Sequence, residues 1–211
     1  MKPDVGRPPT SHERMSGLPW DASYYDGPAP GDVGRPQPTV ARLALEGRFS
    51  GSVLDAGCGT GENALLVAAL GLPVLGVDVA ETALAMAREK AAERAITAEF
   101  AWADALRLDR LGRQFDSVLD CGLFHSFDRA ERAEYVASLR LVTEPGATLH
   151  VLAFSDIGPD TGPHPVSRDE LANAFGPGTG WTVAAIEPDR VLTRFHDDHG
   201  APAWLAELTR V

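Results

Sequence analysis

The sequence predicts one α/β domain built around a doubly wound, mostly parallel sheet. Segments with the pattern of buried strands alternate with segments of helical spacing from residue 52 to residue 154, which is typical of a parallel sheet with helices on both faces. The length of 211 residues suits a single core. Two extended segments near the end of the chain favour an antiparallel hairpin. A sheet of seven strands is therefore expected.

The individual elements follow from hydrophobic periodicity and from the positions of glycine and proline. A first helix is predicted over residues 39–49, with Gly47 near its end. Buried strands are predicted over residues 52–57, 73–79, 97–104, 115–122 and 147–154. Helices are predicted over residues 62–70, 81–95 and 129–142. The last of these helices is expected to stop at Glu144-Pro145-Gly146.

The C-terminal part has a less regular pattern. Ser167 and Glu170 form a capping-box pattern that predicts a short helix over residues 167–175. Residues 181–195 have strand character, with a break or kink expected at Pro188. Residues 201–211 fit a helix or a strand, and the turn-forming segment His196-Asp197-Asp198-His199-Gly200 before them favours a hairpin.

Composition limits the classes of substrate and location. The net charge of −11 repels a phosphate backbone, and no stripe of Lys and Arg counteracts it, which argues against nucleic acid. No apolar run approaches the ~20 residues that cross a bilayer, and the N-terminal segment lacks the apolar stretch of a secretory signal. Cys58 and Cys121 lack the spacing of a zinc site or a disulfide framework. A cytoplasmic protein is expected.

A glycine-rich loop directly follows the first predicted strand. Asp55 is followed by Gly57, Gly59 and Gly61 at alternate positions, and glycine lets a backbone turn sharply and approach a ligand closely. The dinucleotide fingerprint has its third glycine at the next position, where this chain has Glu62. A carboxylate there would repel a pyrophosphate, so the loop favours a ligand with a sugar and an amino-acid end.

Acidic residues end the second and third strands. Asp78 lies where an acid in this fold class accepts hydrogen bonds from ribose hydroxyls, and its alternative role is to cap the helix beginning near Glu81. Asp104 is placed to accept from an exocyclic purine amine, and its alternative is a solvated loop acid. Together with the glycine loop, these acids predict a nucleoside-like ligand.

Four motifs resemble those of class I S-adenosylmethionine-dependent methyltransferases, which have a Rossmann-like fold. They are VLDAGCGTG at 53–61, GVDVA at 76–80, Ala103-Asp104 and FDSVLDCGLFHSF at 115–127. The segments WDASYYDGPAPGDVGRPQP at 20–38 and FSDIGPDTGPHPVSRDEL at 154–171 are similar to segments of the thiopurine, halide and thiol methyltransferases and of the heterocyclic-toxin methyltransferases. One departure is Gly31, where that group has a tryptophan.

The resemblance implies S-adenosyl-L-methionine as cofactor and a small, heteroaromatic acceptor methylated on sulfur, nitrogen or oxygen. The expected cofactor-binding residues are Trp20, Tyr24, Asp55, Gly57, Gly59, Gly61, Asp78, Val79, Asp104, Ala105 and Cys121. The alternatives are a nicotinamide-dependent oxidoreductase, which lacks support from a hydride-transfer triad, and a non-catalytic cofactor-binding protein. The sequence leaves the oligomeric state open.

The acceptor is expected beyond the carboxyl ends of the fourth and fifth strands. The residues predicted to surround it are Leu123, Phe124, Phe127, Phe154, Asp156 and His164. The three phenylalanines have core packing as their alternative. Methyl transfer needs mainly alignment and exclusion of water, and only a hydroxyl acceptor gains much from a base.

Two residues are candidates for a catalytic role. His125 is the only imidazole in the loop after the fourth strand and is the first candidate for a base; its alternative is to hydrogen-bond the backbone. Asp120 either faces the methyl donor or is a buried structural acid. No metal is expected, because the four residues 196–199 favour a solvated turn over a metal site.

The N-terminal region is expected to divide in two. Residues 1–18 are predicted to be a mobile arm, and residues 19–211 the methyltransferase domain, in which residues 19–50 form a lid and first helix and residues 51–211 the Rossmann-like core. Trp20 and Tyr24 are expected to cover the cofactor. Deletion of residues 1–14 is accordingly expected to leave activity nearly intact.

Overall fold

The computed structural model describes residues 7–158 and 164–211. Its described part contains a seven-stranded sheet with the order β3-β2-β1-β4-β5-β7-β6. Strands β1 to β5 are parallel, and β7 runs antiparallel to both β5 and β6. The strands are β1 Val53–Ala56, β2 Val74–Asp78, β3 Glu99–Trp102, β4 Phe115–Cys121, β5 Thr143–Phe154, β6 Trp181–Val191 and β7 Ala201–Arg210. The predicted Rossmann-like fold with a C-terminal hairpin is confirmed.

Helices cover both faces of the sheet, as the alternating pattern predicts. The helices are α1 Ser11–Ser16, α2 Pro38–Leu45, α3 Glu62–Ala69, α4 Glu81–Glu93, α5 Arg129–Leu141 and α6 Arg168–Ala174. One core joins the sheet to α2 and α3 through residues such as Leu43 and Val67. The other joins it to α5 and α6 through residues such as Leu139 and Leu171. This two-sided burial leaves the carboxyl ends of the strands as the open edge.

Strand β5 begins earlier than predicted. Helix α5 ends at Leu141, so the expected end of the helix before Glu144-Pro145-Gly146 is confirmed, but these three residues already form the exposed first part of β5. The pairing with β4 shifts register here, so that residues 144–147 lie opposite Asp116 alone. Such a bulge accommodates Pro145, whose missing N–H is not needed in the hydrogen-bond ladder.

Strand β6 runs through Pro188 without a break. Pro188 is paired with Trp204, and the irregularity lies between Val183 and Ala185. The expected kink at Pro188 is therefore wrong. Because β6 is the edge of the sheet, proline at this position costs no interstrand bond.

Helix α1 lies within the segment expected to be a mobile arm. Thr10 precedes it with the backbone N–H donating to the Glu13 carboxylate at 2.8 Å, and Gly17 ends it in the left-handed conformation. These are the signals of a capped helix. The backbone N–H of Ser11 donates to Glu131 of α5 at 2.7 Å, so α1 lies against the start of that helix.

Candidate active site

A cavity of about 320 Å³ lies at the carboxyl ends of the strands, within the size range of ligand sites. We distinguish two parts of its wall. The glycine-loop half consists of residues at or just after the carboxyl ends of β1, β2 and β3, namely Gly57, Cys58, Gly59, Thr60, Asp78, Val79, Ala103, Asp104 and Ala105. The imidazole half consists of rings from separate parts of the chain, namely His12, Trp20, His125, Phe154, His164, Phe195 and His196.

The glycine loop is held by backbone bonds to β2. The N–H groups of Gly57 and Cys58 both donate to the Val77 carbonyl, at 2.8 and 2.9 Å. A Cβ on Gly59 would lie 3.1 Å from the Tyr24 hydroxyl, so a side chain there would press against the residue that faces the loop. Gly61 is different, since its φ is +81° and a Cβ would lie 2.8 Å from Ala87 Cβ. It permits packing of α4 and does not line the cavity.

Asp78 fixes the loop and still has acceptor capacity. Its carboxylate accepts from Gly59 N–H at 2.8 Å and from Ala80 N–H at 2.9 Å. Burial raises its pKa, and these two bonds oppose that rise. A carboxylate offers about four lone-pair positions. About two of them therefore remain for a ligand.

Asp104 and Ala105 form the far end of this half. Asp104 caps a 3₁₀ helix over residues 105–111 by accepting from Leu106 N–H at 3.0 Å. One of its oxygens makes this bond, and the residue lines the cavity.

The lid segment of residues 19–37 lies over the glycine loop. A 3₁₀ helix spans Trp20–Tyr24, and the Asp21 carboxylate accepts from Thr82 N–H at 2.7 Å at the start of α4. Asp32 accepts from the Thr60 hydroxyl at 2.8 Å. Burial, followed by the nearby carboxylate of Asp78, raises the pKa of Tyr24. The lid is thus tied to α4 and to the glycine loop by side-chain bonds.

The lid also binds the loop between β6 and β7. The buried amide of Gln37 donates to the Leu192 carbonyl at 3.0 Å and accepts from Leu192 N–H at 2.7 Å. The nitrogen and the oxygen of the Gln37 side-chain amide are thus both hydrogen-bonded to the backbone of Leu192. The lid and the β6–β7 loop are consequently one unit of the wall.

Glu62 does not present the bare carboxylate expected from the sequence. Its oxygens accept from both terminal nitrogens of Arg94, at 2.8 and 2.9 Å, and one lies 2.9 Å from Lys90 Nζ. The hydrogen bond from Arg94 and the neighbouring Lys90 lower the pKa of Glu62. Lys90 and Arg94, at the end of α4, balance the charge of Glu62. The expectation that an unpaired carboxylate at this position repels a pyrophosphate is therefore wrong.

The imidazole half is a series of ring contacts. His12 stacks on Trp20 with centroids 4.2 Å apart and planes 11° from parallel, and His164 meets His12 edge-on at 5.7 Å. His125 packs on Phe154 at 4.4 Å. These rings offer flat faces to a flat ligand.

His125 is buried and electrically neutral at physiological pH. Burial, with the nearby His164 and Arg132, lowers its pKa to about 3. Its Nδ1 atom is buried without a hydrogen-bond partner among residues 7–158 and 164–211. A nitrogen of such low pKa is a weak proton acceptor.

Asp120 lies beneath the cavity and does not line it. It is fully buried, and its Oδ1 accepts from Leu123 N–H at 2.9 Å and from Phe124 N–H at 3.2 Å. Burial raises its pKa to about 6. Its contacts hold the turn that carries His125.

The structure brings most of the expected site residues to the cavity. Those in its wall are Trp20, Tyr24, Gly57, Gly59, Asp78, Val79, Asp104, Ala105, Cys121, Leu123, His125, Phe127, Phe154 and His164. Those placed elsewhere are Asp55, Gly61, Asp120, Phe124 and Asp156. Phe124 is core, with its ring 5.7 Å from that of Phe175, and Asp156 is exposed.

Sequence reasoning missed several residues of the wall. His12 belongs to α1, and Thr10 is the cap that precedes this helix. The capping-box signal Thr10-Ser11-His12-Glu13 was available in the sequence. His196 lies in the expected turn, yet it lines the cavity and its Nδ1 is 2.6 Å from the Thr193 hydroxyl. No local signal places a turn residue in a distant site.

Within residues 7–158 and 164–211, no group of three or more His, Cys, Asp or Glu side chains is arranged to hold a metal ion. None of the helices in that part of the chain is both long and apolar enough to cross a membrane.

Comparison with known proteins places this geometry in a family. A family model described as a methyltransferase domain matches residues 53–146. The chain is 39% identical over 166 residues to the 2-heptyl-1-hydroxyquinolin-4(1H)-one methyltransferase of Mycobacteroides abscessus, covering 77% of this chain and 72% of that protein. The chain belongs to the S-adenosylmethionine-dependent methyltransferases. The resemblance found in the motifs is confirmed, and the cofactor of this methyltransferase is S-adenosyl-L-methionine.

Solved structures share the fold. One, from work on the conversion of a disulfide bond into a thioacetal group during echinomycin biosynthesis, is 35% identical to this methyltransferase with a TM-score of 0.78, covering 87% of this chain and 84% of that one. The magnesium protoporphyrin IX methyltransferase of Synechocystis, with S-adenosylmethionine bound, has a TM-score of 0.63 at 23% identity, covering 82% of this chain and 76% of that one. The second likeness is one of fold alone.

Proposed function

We propose that this methyltransferase transfers a methyl group to the hydroxyl oxygen of a flat heteroaromatic acceptor. The observation that carries the proposal is the imidazole half, where Trp20 with His12 and Phe154 with His125 form paired ring contacts at the cavity wall. Flat rings pack well against such faces. The relative from Mycobacteroides abscessus is named for a hydroxylated quinolone, which supports this acceptor class.

The glycine-loop half fits the cofactor. We assign the ribose hydroxyls to the remaining acceptor positions of Asp78 and the adenine to Val79, Asp104 and Ala105. The space beside Gly59, which a Cβ would fill, suits close approach of a ligand. When bound, the cofactor supplies a methyl carbon activated by its sulfonium.

The chain's own residues then orient the acceptor and exclude water. Lid residues Trp20 and Tyr24 cover the loop, which keeps the reacting atoms out of bulk solvent. The low pKa of His125 keeps that ring uncharged, so it does not repel a cationic sulfonium. Alignment of this kind supplies much of the rate in a displacement reaction.

The charge balance supports a small acceptor. A net charge of −11 opposes binding of nucleic acid. The two free cysteines, Cys58 and Cys121, suit a reducing cytoplasm, where we place the reaction.

A sulfur acceptor is the second candidate, because the 35% identical structure comes from work on thioacetal formation. A thiolate needs little help from a base. The same neutral, ring-lined half would accept it.

The test is a turnover assay with labelled cofactor and matched acceptors. We expect 2-heptyl-1-hydroxyquinolin-4(1H)-one to receive the label on oxygen, and the analogue without the 1-hydroxyl group to receive none. Thiophenol is the sulfur probe. Labelling of thiophenol alone would overturn the proposal of an oxygen acceptor. Labelling of the analogue without the hydroxyl would show that the methylated atom is another atom of the quinolone.

A further inference from the structure

Helix α1 is fixed against the segment that carries His125. Ser11 donates its backbone N–H to Glu131 at 2.7 Å and its hydroxyl to the Ser126 carbonyl at 3.1 Å. Arg14 donates to Glu131 at 2.9 Å and to Asp128 at 2.8 Å. Four hydrogen bonds donated by Ser11 and Arg14 therefore hold α1 at the acceptor end of the cavity.

A buried carboxylate ties α1 to the lid. Glu13 accepts from Thr10 N–H, from Trp20 N–H at 3.1 Å and from the Arg7 guanidinium at 2.6 Å. The side chains of Arg7 and Glu13 are only 4% and 3% exposed. Because a buried carboxylate persists only when its bonds are made, the position of α1 relative to Trp20 is specified.

This arrangement presents the His12 ring to the cavity. One face of His12 lies on Trp20, His164 lies at its edge, and the ring lines the acceptor end. Its ring nitrogens form no hydrogen bond with any residue in the described ranges, whereas His196 Nδ1 is engaged with Thr193. His12 is partly buried, so its ring can exchange a proton with solvent.

The surroundings of His12 favour its neutral form. Burial lowers its pKa from 6.5, the nearby His164 lowers it further, and Glu13 raises it. The titratable groups that interact with it are Glu13 on α1, His125 from the turn after β4 and His164 from the loop after β5, and Glu13 is itself paired with Arg7. A neutral imidazole with a free nitrogen is available to accept a proton.

We propose that His12 is the base that takes the proton from the hydroxyl of the acceptor, an inference that rests on the proposed function. The acceptor O–H bond breaks and its proton forms an N–H bond with the imidazole of His12. The electron pair left on oxygen forms the bond to the methyl carbon as the carbon–sulfur bond breaks, which leaves a neutral thioether. The imidazolium of His12 then loses the proton to solvent.

The test compares His12→Gln with the matched variant His125→Gln. Glutamine keeps a polar side chain of similar reach and removes the basic nitrogen. The ratio kcat/KM is measured against pH with 2-heptyl-1-hydroxyquinolin-4(1H)-one and with thiophenol. Calorimetry with S-adenosylhomocysteine and circular dichroism check that both variants fold and bind the cofactor product.

We expect the two variants to differ in pH profile. Below the pKa of the hydroxyl, His12→Gln should lose about 100-fold in kcat/KM, and above it the loss should disappear because the acceptor is already ionised. The wild-type profile should reach a plateau above the pKa of His12, below 6.5, whereas the His12→Gln profile should rise up to the pKa of the acceptor. His125→Gln should lower kcat/KM evenly at all pH values.

If His12→Gln lowers kcat/KM by the same factor at all pH values, the proposal that His12 is the base is overturned, and the residue has a positioning role. If the wild-type enzyme methylates thiophenol and not the hydroxyquinolone, the oxygen acceptor fails, and His12 is judged on thiophenol below the pKa of that thiol. As a readout besides activity, the His12 Cε1 proton resonance, assigned by its loss in the variant, should shift when the hydroxyquinolone binds. An unmoved resonance would contradict contact with the acceptor.

Discussion

The two halves of the cavity are built in different ways. The glycine-loop half is formed by residues at or directly after the carboxyl ends of β1, β2 and β3. Backbone hydrogen bonds hold it, such as that from Ala103 N–H to the Asp78 carbonyl at 3.1 Å. The imidazole half is formed by rings from α1, the lid, the turn after β4, the end of β5 with the loop after it, and the loop between β6 and β7. Side-chain bonds, such as those of Gln37 to Leu192, hold these segments together.

This difference separates stability from specificity. A backbone-bonded wall is part of the sheet, and changes in it affect folding and cofactor binding together. A wall in which side chains join separate segments can change at single positions without altering the sheet, and binding residues commonly vary in such loop regions. The following predictions test that separation, beginning with the largest expected effect.

Gly61→Ala tests the packing beneath the glycine loop. An added Cβ would lie 2.8 Å from Ala87 Cβ and 2.9 Å from the Phe100 ring, at a φ of +81°. We expect a loss of about 2–5 kcal/mol in the free energy of unfolding, from left-handed strain and overpacking. Urea unfolding measures it. The control is Gly112→Ala, which has a φ of +60° and open space, and should lose only ~1–2 kcal/mol.

Asp78→Ala tests the ligand-binding role of the same half. The charge-assisted bonds to ribose hydroxyls are worth about 1.5–3 kcal/mol each, so affinity for S-adenosylhomocysteine should fall about tenfold to a few hundredfold. Calorimetry on the folded variant gives the value, with Asp109→Ala as an exposed control. Equal affinities for the two variants would remove the ribose assignment.

Deletion of residues 1–16 tests the imidazole half as a whole. The sequence favours a dispensable arm, but the contacts of α1 lead to the opposite expectation for this larger deletion. Because the deletion removes His12 and the Glu13 carboxylate, turnover of the hydroxyquinolone below the pKa of its hydroxyl should fall at least as far as in His12→Gln, by about 100-fold. Affinity for S-adenosylhomocysteine should change less than turnover. Full activity in the truncated protein would show that α1 is not part of the site.

Trp20→Ala tests the junction between the two halves. The variant loses the stack with His12, and aromatic pairs contribute about 0.5–1.5 kcal/mol beyond buried area, so KM for the acceptor should rise roughly 2- to 10-fold. Cofactor affinity should also fall, because Trp20 lines the shared cavity. Trp20→Phe keeps a ring and should recover much of the loss. An alanine variant with unchanged kinetics would contradict a lid role for this residue.

The sheet and the glycine-loop half could be predicted from the sequence because each depends on short-range signals. The strands Val53–Ala56 and Val74–Asp78 are mainly apolar, with Gly57 directly after the first and Asp78 as the last residue of the second. The main local error, a fifth strand expected to begin at residue 147 when β5 begins at Thr143, arose because proline and glycine also suit a bulge at the start of a strand. The local sequence does not distinguish a loop that precedes the strand from a bulge inside it.

The imidazole half could be predicted only in part. His125 and His164 were expected near the acceptor from their position after β4 and β5, whereas His12 and His196 were not. The contact of His12 with His164, at 5.7 Å, depends on how α1 lies against α5. Such a contact depends on tertiary packing, and hydrophobic periodicity in a single sequence does not predict which distant segments pack together.

The position of β7 has a consequence for biosynthesis. Residues 201–210 are made after β5 and β6, yet they lie between those strands and supply all of the sheet pairing of β6. Since chains fold from the N-terminal side as they emerge from the ribosome, β1 to β5 can associate while β5 still has an unpaired edge. That edge is a site of aggregation until β7 inserts. The turn that contains His196 forms when β7 pairs with β6. We therefore expect the glycine-loop half of the cavity to form in the nascent chain before the imidazole half is complete.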